Sequence, residues 1–247
     1  MQNLIKIANK IVEKIANKIK MEDPSKFGNY VGLGADGTET VYIDKIAEDI
    51  AIKLIGNKAN VLSEEAGFID NNKEYTFIID PIDGTKNAIS GIPFYGISIA
   101  IGKKLLSDIE YGIVKNIPTG DVYYAIKGKG AFLNGRKIKV RNEPIYCLSL
   151  GKSGNEKTWR LANMHTIRAM GAAAIEMCLV ASGAATAYFM PRDILRITDF
   201  AASSLIVREA GGEVYDAYGN ILEMPFSLER RSGILATSSP SVMEELL

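Results

Sequence analysis

Histidine is nearly absent from this chain of 247 residues, His165 being the only one. That excludes sites built from several imidazoles, multi-histidine zinc centres among them, and leaves carboxylates to carry acid, base or metal chemistry. Cysteine is almost as scarce: Cys147 and Cys178 stand far apart with no C-x-x-C spacing. Neither a disulfide framework nor a cysteine-held metal is indicated, and a reducing cytoplasm is the expected location. Net charge is also missing, since Lys+Arg and Asp+Glu both number 29. No long-range field would gather nucleic acid or an anionic membrane surface, so neither is an expected partner. No stretch reaches the roughly 18 uncharged apolar residues of a membrane span. The opening Met-Gln-Asn-Leu-Ile-Lys mixes polar with apolar residues, unlike the unbroken apolar core of a signal peptide.

What is present is an ordinary globular mixture, 47% apolar and 23% charged, in a length that serves one large domain. Leu4, Ile5, Ala8, Ile11, Val12, Ile15, Ala16 and Ile19 recur at helical spacing with lysines between, and a second helical stripe runs from Ile43 to Leu54. Short β-branched or aromatic runs follow at Val61-Leu62, 75–79, 95–101, 109–114, 122–126 and 131–133, and Asn134-Gly135 signals a hairpin into 137–140. Beyond Gly151 the texture alternates: helix from Ala172 to Ser182, strand 186–190, helix Asp199 to Ala210, strand 213–215, strand 234–236 and a helix after Pro240. The expected organisation is a single domain over 1–247, with a helix and antiparallel-sheet half (about 1–145) and an α/β half (about 146–247).

The run Phe77-Ile-Ile-Asp80-Pro81-Ile82-Asp83-Gly84-Thr85 reads as an apolar strand ending in two carboxylates. Proline cannot extend a ladder, so a turn is expected there, with Asp80 and Asp83 aimed out of the strand end. Gly84 and Thr85 then open a short helix whose amides could hold a phosphate oxygen. Paired acids beside a phosphate cradle suit a hard cation such as Mg²⁺. A plain strand-to-helix turn with aspartate caps explains the same residues. Glu64-Glu65 after Ser63 likewise reads as a commonplace helix start, Asp199 as a helix cap, and Asp36 and Asp44 as turn and helix-entry residues.

Taken together, Gly34-Ala-Asp36-Gly-Thr38, Ile43-Asp44-Lys45-x-Ala-Glu48, Leu62-Ser-Glu64-Glu65, Asp80-Pro-Ile-Asp83-Gly-Thr85, Thr198-Asp199-Phe-Ala-Ala and Glu209-Ala-Gly-Gly212 resemble the inositol monophosphatase family in order and spacing. The likeness spans about residues 1–240 and is greatest to archaeal members with both inositol monophosphatase and fructose-1,6-bisphosphatase activity. The resemblance implies an α+β fold, the layered α-β-α-β-α sandwich of the sugar phosphatases. It also implies a phosphoric monoester hydrolase of carbohydrate metabolism, gluconeogenesis included, acting on a small sugar or polyol phosphate, most often as a homodimer.

By the same resemblance, Glu64, Asp80, Asp83, Asp199 and the Ile82 carbonyl would hold two or three Mg²⁺ ions, or Mn²⁺ in their place, with Asp36 serving the most weakly held one. Asp44 and Thr85 match the positions that orient and activate the attacking water, Asp44 accepting its proton through Thr85, with Glu64 in support. Gly84 and Thr85 would bind the phosphate, and Gly171 and Ala172 match a polyol-binding segment. Arg168, Arg192 and Arg196 lead toward Asp199, where inositol-specific relatives carry acidic residues and Met190 stands for a carboxylate. Arginine forks suit a second phosphate, so Arg192 or Arg196 is expected to favour fructose 1,6-bisphosphate. Two alternatives remain at this point: a nucleotide 3′-phosphatase acting on adenosine 3′,5′-bisphosphate, and a non-catalytic metal- or phosphate-binding partner protein.

Overall fold

The computed structural model describes residues 1–247 apart from positions 36 and 155. Its first half runs α1 (Gln2–Met21), β1 (Tyr30–Leu33), β2 (Glu39–Val41), α2 (Tyr42–Ile55), β3 (Asn60–Ser63), β4 (Gly67–Ile69), β5 (Thr76–Asp83), α3 (Thr85–Ile89), β6 (Gly96–Gly102), β7 (Tyr111–Asn116), β8 (Val122–Ile126), β9 (Gly130–Leu133) and β10 (Arg136–Ile138). The second half adds β11 (Ile145–Leu148), α4 (Glu156–Met164), β12 (Thr166–Arg168), α5 (Ala173–Ala181), β13 (Ala187–Leu195), α6 (Ile197–Glu209), β14 (Glu213–Asp216), β15 (Ser232–Thr237) and α7 (Pro240–Leu246).

Strands β3 to β10 form an eight-stranded sheet in the order β10-β9-β8-β7-β6-β5-β3-β4, and β11 to β15 form a five-stranded sheet in the order β12-β11-β13-β15-β14. The large sheet is antiparallel except where β3 runs parallel to β5. Strand alternation sorts its side chains. Phe77, Ile79, Ile97, Ile99 and Ile113 pack with the buried stripe of α1 and α2, whereas Ile78, Ala100 and Val114 pack with α5 and α6. The small sheet covers the other side of α5 and α6, and its outer face packs Tyr146, Leu148, Phe189 and Leu235 with Leu161 of α4 and Val242 and Leu246 of α7. The result is the expected α-β-α-β-α sandwich. Enclosure between two sheets explains why α6 buries every residue from Ile197 to Val207 instead of one stripe. Gly112 allows the close approach, because a Cβ there would lie 2.7 Å from the Ala202 carbonyl oxygen.

The structure departs from the sequence reading in several places. Glu64 and Glu65 lie in the turn between β3 and β4, not at a helix start. Pro81 does not end β5. The strand carries one extra residue between Asp80, which pairs with Ser98, and Asp83, which pairs with Gly96. In an unbroken strand, residues three apart face opposite sides. The bulge instead brings both aspartates to the inner side, where Asp83 bonds α5 and Asp80 meets Asp199 of α6, and sends Ile82 into the α1/α2 core. The strand expected at 186–190 continues through Pro191 and Arg192 to Leu195, and β1, β2, β4, β11, α4 and β12 had no periodic signal. The Asn-Gly hairpin is as expected, with Asn134 and Gly135 both at positive φ (50° and 79°).

Candidate active site

Residues from the β3–β4 turn, β5, α3, α5, β13 and α6 line a cavity of about 280 Å³. At its centre the carboxylates of Glu64, Asp80 and Asp199 have oxygens all within 4.8 Å of one another. Burial raises the proton affinity of all three, and repulsion from neighbouring carboxylates adds to it at Glu64 and Asp80. Glu64 is pushed up to about 8, chiefly by burial and against the pull of Arg196. Asp80 is also raised by burial, with the charges of Glu64, Asp83 and Asp199 adding to it. Asp199 is raised by burial against Arg196. The Arg196 guanidinium is ion-paired with Glu64 and stands 3.5 Å from Asp199 Oδ1.

Asp199 combines two roles suggested by the sequence. It sits in the first turn of α6, where its Oδ2 accepts the Arg196 N–H at 2.8 Å, and its carboxylate also belongs to the cluster. Asp80 Oδ1 accepts the Ile82 N–H at 3.1 Å, which braces the bulge. Asp83 lies outside the tight cluster. It lines the cavity while Oδ2 accepts the Ile175 N–H of α5 at 3.1 Å, and burial raises its pKa to about 8 against that bond.

Beside the cluster runs a second chain of oxygens. Thr85 Oγ1 lies 3.0 Å from Asp44 Oδ1 and 2.9 Å from the Ile82 carbonyl oxygen, so its one proton goes to either. Asp44, on α2, is pushed up to about 7, mainly by burial, with Glu65 and Glu48 adding and the Thr85 bond opposing. Gly84 must be glycine: its φ is 86°, and a Cβ would sit 3.0 Å from that of Ala172 and 3.1 Å from the Phe94 carbonyl oxygen. In α3 the first N–H groups bonding backward are those of Asn87 and Ala88, both to the Gly84 carbonyl. The N–H groups of Thr85 and Lys86 are therefore first-turn donors facing outward from the helix ladder. Glu176 holds the adjoining loop by accepting the Met170 and Gly171 N–H groups at 3.0 Å each.

Of the residues singled out in the sequence, Glu64, Asp80, Ile82, Asp83, Gly84, Thr85, Gly171, Arg196 and Asp199 line the cavity. Asp44 reaches it through Thr85, and Ala172 backs Gly84 from a buried position. Arg168 and Arg192 are not among the lining residues. Arg168 donates to its neighbour's carbonyl at Ile167, and Arg192 lies against Gly151 and the sulfur of Met190. Asp36 falls outside the described residues. Lys86, Ser149, Glu176 and Tyr188 also line the cavity. Only Lys86, adjacent to Thr85 in the central run, had a signal that sequence reasoning could have used. A larger groove of about 830 Å³, lined by Met1, Lys6, Lys103, Lys127 and Lys129 among others, shares no residue with this cavity.

The layered fold and the oxygen-rich cavity together define the sugar-phosphatase class. The profile of the inositol monophosphatase family matches residues 1–247, and the chain belongs to that family. It is an enzyme of the phosphoric monoester hydrolase class. It is 38% identical to the fructose-1,6-bisphosphatase/inositol-1-monophosphatase of Methanocaldococcus jannaschii, over 97% of this chain and 98% of that one. A crystal structure of an inositol monophosphatase-fructose 1,6-bisphosphatase superposes with a TM-score of 0.88 at 36% identity, covering 98% of this chain and 97% of the other. The bifunctional NADP phosphatase/NAD kinase of M. jannaschii is 36% identical over 94% of this chain, which spans 48% of that larger protein.

Proposed function

We propose that the protein is a Mg²⁺-dependent phosphatase that hydrolyses fructose 1,6-bisphosphate, inositol 1-phosphate or both by direct attack of water on phosphorus. The observation that carries this reading is the Glu64–Asp80–Asp199 cluster lying beside the Asp44–Thr85–Ile82 chain. An all-oxygen donor set fits a hard divalent cation, and carboxylates pushed toward protonation by burial and repulsion gain most from one. Glu64, Asp80, Asp83, Asp199 and the Ile82 carbonyl would hold two or three Mg²⁺ ions, with Mn²⁺ able to replace them. Bound ions supply the charge that acidifies water at neutral pH and offsets the phosphoryl oxygens.

The protein's own groups do the rest. Thr85 Oγ1 offers its lone pairs to the attacking water, and Asp44 takes the proton through that hydroxyl. The N–H groups of Gly84 and Thr85 orient the phosphate, and the Gly171–Ala172 loop gives the sugar or polyol room. Arg196 at the cavity wall, or Arg192 beyond the lining residues, would receive a second phosphate and favour a bisphosphate. The proposal places the enzyme in the cytoplasm as a homodimer.

A second reading, a phosphatase for nucleotide 2′- or 3′-phosphates, draws support from the similarity to the bifunctional NADP phosphatase/NAD kinase. Against it, Tyr188 is the single aromatic among the described residues that line the cavity, which leaves little for an adenine to stack on. The test is to rank fructose 1,6-bisphosphate, inositol 1-phosphate, NADP and adenosine 3′,5′-bisphosphate by kcat/KM with Mg²⁺. The sugar and polyol esters are expected to lead, and a nucleotide at the head of the ranking would displace the first reading.

A further inference from the structure

Glu48 is a carboxylate with 2% of its surface exposed, one helical turn beyond Asp44 on the same face of α2. Its Oε1 accepts the Ser63 hydroxyl at 2.5 Å and the Ala66 N–H at 2.9 Å. Those donors bracket Glu64 and Glu65 at either end of the β3–β4 turn. Glu65 in turn accepts from the Thr40 hydroxyl and, through its carbonyl, from the Ala35 N–H at 2.8 Å, which ties the turn to the β1–β2 hairpin. Burying a carboxylate is costly, and a well-packed apolar residue would fill the same space more cheaply if filling were all that was needed. What the carboxylate adds is direction: one oxygen that accepts two hydrogen bonds fixes both flanks of a two-residue segment that projects Glu64 into the cavity.

We propose that Glu48 is a positioning residue that sets the angle at which Glu64 enters the cation cluster, so that one face of α2 holds the water-orienting chain through Asp44 and the ligand turn through Glu48. The proposal rests on the reading of Glu64 as a metal ligand. Ile43, Ala47 and Ala51 anchor the helix in the core between these polar positions, so neither loop can shift without the other being sensed at α2.

The test is Mg²⁺ binding by titration calorimetry to the full chain, with melting temperatures measured in chelator. Glu48→Leu is expected to bind Mg²⁺ about tenfold more weakly or worse, the usual loss when a ligand's outer hydrogen bonds are removed. Glu48→Gln keeps the acceptor oxygen and is expected within about fivefold of wild type, the scale of one hydrogen bond. A folded Glu48→Leu with wild-type Mg²⁺ affinity overturns the proposal, as does a Glu48→Gln no better than Glu48→Leu. Should Glu48→Leu fail to fold, Ser63→Ala decides: weakened Mg²⁺ binding at a native melting temperature supports the role, and unchanged binding overturns it. Glu64→Gln is the control. Wild-type Mg²⁺ affinity in that variant would remove Glu64 as a ligand and the premise with it, whereas lost affinity there beside normal affinity in Glu48→Leu rejects the positioning role alone.

Discussion

Asp44, Glu64 and Asp83 are acids held where water cannot solvate their charge, and burial lifts them to about 7, about 8 and about 8 from ordinary carboxylate values. Each then binds its proton more tightly in the folded than in the unfolded chain. Their contribution to stability is full below the unfolded values near 4 and is lost as pH rises through about 8. A cation bound among them would offset that loss. In melting experiments, the rise in Tm on adding Mg²⁺ is therefore expected to be larger at about pH 8 than at about pH 5; an equal rise at both would contradict the account of these acids. For catalysis, Asp44→Asn keeps the shape but cannot take the proton, so kcat is expected to fall by about 10²–10⁴ with KM little changed in steady-state assays. The arginines separate by place. Because Arg196 lines the cavity and Arg192 does not, Arg196→Ala is expected to raise KM for a bisphosphate about tenfold or more, and Arg192→Ala less. If neither variant changes the ratio of KM values for bisphosphate and monophosphate, the second-phosphate assignment fails.

Among the elements, α6, which carries Asp199, packs closely on β7 at Gly112. Gly112 leaves no room for a side chain, so Gly112→Ala is expected to cost about 1–3 kcal/mol of stability by overpacking, measured by urea unfolding. Glu209 shows how a motif can be structural: its carboxylate accepts the Gly128 and Gly130 N–H groups at 2.7 and 2.8 Å and pins the β8–β9 turn to the end of α6. Long amphipathic or apolar segments such as α1, α2 and β6 were legible because burial on one or both faces writes a period into the sequence. Short edge strands such as β4 and β12 pack against little, so their residues carry no period. The sequence predicts a stop at Pro81, where the structure has a bulge, because a proline excludes a ladder bond but does not say whether the strand continues past it. The site's acids were legible as a set only through their joint order. Glu48's bonds, and the place of Glu176 and Ser149 at the cavity, come from tertiary approach, and no local spacing announces them.

At the scale of the molecule, α5 and α6 are shared: one core cluster joins Ile78 and Val114 of the large sheet to Tyr188 and Ile234 of the small one. We propose that 1–247 unfolds as one domain, and calorimetry is expected to give a single transition with equal calorimetric and van't Hoff enthalpies. Two resolved transitions would mean that the halves fold apart. The cavity lies where these layers meet, with Asp80 from the large sheet, Glu64 from its β3–β4 turn, Asp199 from the shared helices and Tyr188 and Met190 from the small sheet. Its chemistry thus depends on the whole sandwich being assembled. The most direct measurement is phosphate release from fructose 1,6-bisphosphate and inositol 1-phosphate, with Mg²⁺ and with chelator, for the wild type and Asp80→Asn. The account predicts release from at least one ester with Mg²⁺, none with chelator, and a loss of about a hundredfold or more in a folded Asp80→Asn. Release that persists in chelator, or that survives the Asp80 substitution, would contradict it.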